Sequence, residues 1–280
     1  MTESFRTQDG RALTYRREGE GPLLVCHPGG PGFSSLCLGD LGGLTESRTL
    51  ILLDPRGTGG SDLPADERAY ATSDYVADIE ELRLHLGVEQ IDVLGHSHGG
   101  VVGVAHAADH PASIRRLVLA NSLVRLHHEE MEALMQSHAN EPWYEDAQDA
   151  FAREEAGDFA DEDELRALVL REFPFYFAHY DDRARTYLDQ KVAVERPNPD
   201  ALKLFNEGIE TWDMRAELGR VGAPTLVLTG GVDFICGPAC ADDLVEGIAC
   251  TRRVVIEDCG HFSFVERPER FRREVAAFLN

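Results

Sequence analysis

Short apolar runs recur along the chain, and each stops at a glycine-rich or polar loop. They are "PLLVCH" (22–27), "TLILLD" (49–54), "IDVLG" (91–95), "IRRLVLAN" (114–121), "APTLVLTGG" (223–231) and "RRVVIEDCGHF" (252–262). A strand that is apolar on both faces has to be covered on both, which suits a buried parallel sheet. Between these runs lie stretches of helical spacing, such as "SDYVADIEELRLHLG" with its stop at Gly87 and the closing "RPERFRREVAAFL". Strands alternating with helices imply an α/β architecture, a mostly parallel sheet with helices on both faces. "SFRTQDGRALTYRR" adds two short strands around an Asp9-Gly10 turn.

The pattern breaks between about Leu123 and Met214. There the chain is rich in Glu, Asp and aromatics, its periods are helical, and the short strand runs disappear. The expected organisation is a core built from 1–122 and 215–280, with 123–214 inserted as a helical cap. At 280 residues the chain is long enough to bury a large core without disulfides.

Fifty acids against 27 bases leave a net charge of -23, a surface that repels phosphate backbones and argues against nucleic-acid binding. The start of the chain is polar, without an apolar leader, and no stretch is long enough to span a bilayer, so a cytoplasmic location with no membrane contact is expected. Cys26, Cys37, Cys236, Cys240, Cys250 and Cys259 are scattered without C-x-x-C spacing and are expected to be free thiols. No metal and no organic cofactor are called for. The expected partner is a small-molecule or short peptide substrate, and the oligomeric state stays open.

"GHSHG" places Ser97 between a strand-like run and a helix-like "GGVVGVAHAAD". A serine in such a strand–turn–helix is held in a strained backbone with helix amides pointing at its hydroxyl. It still needs a base. His261, directly after the last strand run, suits that role; His96 and His98 flank the serine and are badly placed to take its proton, and His27 lies beside a glycine loop. Asp233, at the end of "TLVLTGG", is favoured over Asp258 to orient His261. The order Ser97, Asp233, His261 then fits the strand–turn–helix motif. Oxyanion donors are expected from the amide of His98 and, in "HPGGPG", from that of Gly30. Arg56 in "DPRGTGGSD" is expected to pair with an acid and shape a loop.

Together these pieces resemble the α/β-hydrolase superfamily and, within it, the proline iminopeptidase family. "GGPG" looks like that family's HGGPG signature, with Pro28 in place of the histidine, and "DPRGTGGSD" looks like its D-Q-R-G-x-G-x-S segment. "GHSHGG", "GGVDF" and "CGHF" follow in the same order, although His98 stands where the family often has Trp. The resemblance implies an α/β-hydrolase fold with a cap and a Ser97–Asp233–His261 triad acting through an acyl-enzyme. It further implies release of N-terminal proline or a small residue, the free amine being held by cap glutamates; Glu207 and Glu210, where the cap rejoins the core, are the candidates. The alternatives are an esterase, lactonase or amidase for a small metabolite and, of another class, a non-catalytic ligand-binding protein on the same fold. An intact Ser, Asp and His argues against the last.

Overall fold

The computed structural model describes residues 2–66 and 68–280. Its eight strands are β1 (Thr2–Arg6), β2 (Ala12–Glu18), β3 (Leu23–His27), β4 (Thr49–Leu53), β5 (Ile91–His96), β6 (Ile114–Ala120), β7 (Thr225–Gly230) and β8 (Thr251–Ile256). They form one sheet in the order β1-β2-β4-β3-β5-β6-β7-β8. β1 and β2 form the hairpin expected around Asp9-Gly10, and β2 meets β4 antiparallel. From β4 to β8 every pairing is parallel.

Successive residues of a strand point to opposite faces, so a run apolar throughout feeds two cores. Leu24, Leu52, Leu94, Val118 and Leu228 belong to one core; Val25, Ile51, Val93, Leu119 and Val227 belong to the other. Helix α11 (Pro268–Leu279), which follows the short α10 (Ser263–Glu266), covers the first face with Phe271, Val275 and Leu279. Helices α1 (Thr72–His85), α2 (His98–Asp109) and α9 (Pro238–Gly247) cover the second.

Between β6 and β7 come α3 (His128–Gln136), α4 (Tyr144–Glu155), α5 (Glu162–Glu172), α6 (Asp182–Tyr187), α7 (Pro199–Asn206) and α8 (Arg215–Leu218). Phe173, Tyr187, Val192 and Leu202 of this insert share the first core with the sheet. Ala201 of α7 joins the second core instead, as does Leu218 of α8 beyond the insert. Polar clasps fix the insert to the loop after β3. The Asn198 amide donates to the Gly32 carbonyl at 2.8 Å, and the Ser34 hydroxyl donates to the Glu195 carboxylate at 2.7 Å. Among the described residues no helix is long and apolar enough to cross a membrane, and all six cysteines are free.

Candidate active site

One residue, Ser97, separates β5 from α2. Its backbone sits at φ 54° and ψ −124°, a left-handed conformation that costs of order 1–3 kcal/mol for a residue with a side chain. The flanking glycines make the turn possible. A Cβ on Gly95 would stand 2.1 Å from the Gly99 oxygen, and one on Gly99 would stand 2.2 Å from the His27 oxygen. The Ser97 amide donates to the carbonyls of Ala120 and Asn121 at 3.1 and 3.0 Å, and the Ser122 hydroxyl donates to the Ser97 carbonyl at 2.9 Å. The ends of β5 and β6 thus hold the turn, and Ser97 lines a cavity of about 490 Å³.

His261 lines the same cavity. Its backbone amide donates to the Tyr176 carbonyl at 2.8 Å, which ties its loop to the insert. Its Nδ1 lies 2.9 Å from Oδ2 of Asp233, which is fully buried. Oδ2 also accepts from Asn121 Nδ2 at 2.9 Å, and Oδ1 accepts from the amides of Ile235 and Cys236 at 3.2 and 3.0 Å. Burial by itself raises the Asp233 carboxyl, but the neighbouring His261 and these donors outweigh it and hold the group below the ordinary range. A carboxylate surrounded by donors accepts the Nδ1 proton of His261 and leaves Nε2 as the basic nitrogen. Burial lowers His96 and His98 to about 3, so neither is suited to act as a base.

Gly30, at φ 106°, lines the cavity with His98. His98 opens α2, where the first amides have no carbonyl partner within the helix and are free for an oxyanion. Arg56 lies outside the cavity: its guanidinium donates to Asp78 at 2.8 and 2.9 Å and to the carbonyls of Ala69 and Asp74, so it shapes the loop as expected.

The insert departs from expectation. Glu207 follows the last turn of α7, is exposed, and pairs with Arg68 at 3.0 Å; it does not line the cavity. The Glu210 side chain lies outside the described residues. Among the described residues, the acids that line the cavity are Glu154, Glu155 and Glu172, from the ends of α4 and α5. Glu172 is 2% exposed, and its Oε2 has no hydrogen-bond partner among the described residues. Burial, followed by the charge of Glu154, pushes it well above the ordinary carboxyl range, and burial and then Glu155 push Glu154 up to about 8. Asp258 is exposed and pairs with His179 at 3.0 Å and with Arg267, away from His261.

A raised carboxyl has a sign for stability. An unfolded Glu ionises near ~4.3, so the stability of the protonated, folded form is complete below that value and is lost as pH rises toward the folded pKa. Glu172→Gln is therefore expected to raise Tm at about pH 8 and to do so much less at about pH 5 in calorimetry. Equal gains at both pH values would show that Glu172 titrates alike in the two states.

Asn121 is a residue that the sequence pattern does not point to. It is fully buried at φ 49°, and beyond its bond to Asp233 its Nδ2 donates to the Gly260 carbonyl at 3.0 Å while its Oδ1 accepts the Ser263 hydroxyl at 2.7 Å. One residue thus joins the Ser97 turn through its backbone carbonyl, and the acid and the histidine loop through its side chain. Its only sequence signal is its place at the end of "LVLAN", level with the serine on the neighbouring strand.

Comparison with known proteins gives this arrangement its setting. A family model described as alpha/beta hydrolase fold matches residues 22–268. The proline iminopeptidase of Lactobacillus helveticus is 30% identical over 94% of this chain and 92% of its own. A hydrolase from Pseudomonas aeruginosa superposes with a TM-score of 0.76 at 28% identity, covering 100% of this chain and 98% of that one. The enol-lactonase of Burkholderia xenovorans superposes at 0.74 with 25% identity over 99% of each chain. The chain belongs to the alpha/beta hydrolase fold family and is a hydrolase similar to the proline iminopeptidases.

Proposed function

We propose that the chain is a serine hydrolase that works through an acyl-enzyme, and that it is an aminopeptidase releasing proline or a small residue from the free N-terminus of a short peptide. In this reading 1–122 and 215–280 form the catalytic core and 123–214 the cap. His261 Nε2 takes the Ser97 hydroxyl proton as Oγ attacks the carbonyl, and the amides of Gly30 and His98 hold the oxyanion. The proton returns from Nε2 to the leaving amine. Water, deprotonated in turn by His261, then releases the acid, while Asp233 holds the ring throughout. These steps use only the chain's own groups.

The observation that carries the peptidase reading is Glu172. A nearly buried carboxyl with an unpartnered oxygen, set beside Glu154 in the cavity that holds Ser97, is costly unless something pairs with it. A protonated amine is the complementary group. An esterase or lactonase is the second reading. It is favoured by the largely apolar walls, including Phe151, Phe173, Phe205 and Ile235, around a volume that exceeds the needs of one small residue.

Pro-β-naphthylamide tests the two. N-acetylating it is expected to cut kcat/KM by on the order of 100-fold, and Glu172→Gln is expected to cause a similar loss on the free-amine substrate. Equal cleavage of the acetylated and free compounds would remove amine recognition and leave the esterase reading.

A further inference from the structure

Beside Asp233 and His261 lies a buried reactive group for which the hydrolytic steps have no use, the thiol of Cys236. Asp233 and Cys236 lie three residues apart in the loop between β7 and α9, and His261 follows β8. A carboxylate oxygen of Asp233, the Cys236 sulfur and a ring nitrogen of His261 all lie within 4.8 Å of one another, and all three residues are buried. Sulfur, imidazole and carboxylate are the donors that Zn²⁺ takes, and three protein ligands with a fourth position open is a common arrangement for that ion. Zn²⁺ binds such donors at roughly 2.0–2.3 Å, so closing a triangle of this size around it takes shifts of at most about 0.8 Å per donor.

We propose that Asp233, Cys236 and His261 form an inhibitory site for a thiophilic divalent cation, with Zn²⁺ as the ligand and the cavity as its route of entry. The binding step balances simply. Cys236 gives up its thiol proton to solvent and binds as thiolate, Asp233 binds as the carboxylate it already is, and no group is oxidised or reduced. His261 binds as neutral imidazole. Coordination at Nδ1 moves its proton to Nε2; coordination at Nε2 occupies that nitrogen directly. Either way Nε2 can no longer accept the Ser97 proton, and catalysis stops while the fold is kept.

The inhibition rests on the proposed triad, so the test separates the two. Metal-free wild type is first labelled with a fluorophosphonate, which reads the triad alone. Hydrolysis of p-nitrophenyl acetate is then followed at buffered free Zn²⁺, each protein normalised to its own metal-free rate. Wild type is expected to be inhibited and to recover fully on adding EDTA. Cys236→Val is expected to need on the order of 100-fold more Zn²⁺, with Cys236→Ala as the second variant if valine does not fold. Binding is read without activity by the ultraviolet thiolate-to-metal band with Cd²⁺ as probe, in a Cys250→Ser background that removes the exposed thiol. The band is expected to vanish in Cys236→Ala and to weaken in His261→Ala. Equal inhibition of wild type and the Cys236 variants, or a band that survives Cys236→Ala, overturns the site. A band that behaves as expected in a protein that does not label keeps the metal site and overturns the triad.

Discussion

Ser97→Ala is expected to abolish covalent labelling by a fluorophosphonate and to lower kcat by about 10⁶-fold, the scale on which removing the nucleophile of a Ser–His–Asp set acts. The loss should be chemical rather than structural. Ser97 is held through its backbone by Ala120, Asn121 and Ser122, and none of those bonds uses its hydroxyl. Alanine keeps the Cβ and therefore the same strained turn, so Tm should change little. Substrate should still bind, because the cavity walls and Glu172 are untouched. A variant that labels as well as wild type would move the nucleophile elsewhere.

The parts of this site that were legible in the sequence are those whose chemistry is local. Gly95 and Gly99 are required because any Cβ there would collide with backbone, and that requirement leaves a spacing that can be read. The strands were legible because a strand buried on both faces has no polar alternation to confuse it: "TLILL" is buried at every position of β4. Asp233 and His261 stand out as candidates because each follows such a run.

The insert was not legible in the same way. Its acids are mostly solvent faces, such as Asp146 and Asp149, which pair with Arg171, and Glu162, which pairs with Arg196. Which acid turns inward depends on how α4 and α5 pack in the folded chain, which helical spacing alone does not record. Proximity to the core in sequence pointed to Glu207, but the chain leaves α7 there with Glu207 turned toward Arg68. Glu172 does carry one local signal. It stands in "VLREFPFYF", where a lone acid among aromatics is poorly placed to reach water. Asn121 had less still, because its role is to join three segments that meet only in the folded chain.

Asp233→Asn is expected to leave the fold intact and to lower kcat by on the order of 10⁴-fold, because the substitution reverses a proton rather than removing a contact. Every partner of this carboxylate is a donor: the amides of Ile235 and Cys236 on Oδ1, and Asn121 Nδ2 and His261 Nδ1 on Oδ2. An asparagine keeps its one oxygen toward the two backbone amides, where two hydrogen bonds hold it. Its NH₂ then faces Asn121 and His261. Asn121 can meet it by turning its own amide, at the expense of its bonds to Gly260 and Ser263. His261 meets it only by accepting at Nδ1, which shifts its proton to Nε2. In that tautomer Nε2, the nitrogen proposed to take the Ser97 proton, is already protonated and cannot act as the base. Asp258→Asn makes the control, since that acid is exposed, pairs with His179 and Arg267, and should leave kcat close to wild type. The measurement is kcat on p-nitrophenyl acetate for both variants, with Tm confirming that each is folded. If Asp258→Asn loses the activity and Asp233→Asn keeps it, the orienting acid is Asp258 and the tautomer argument fails.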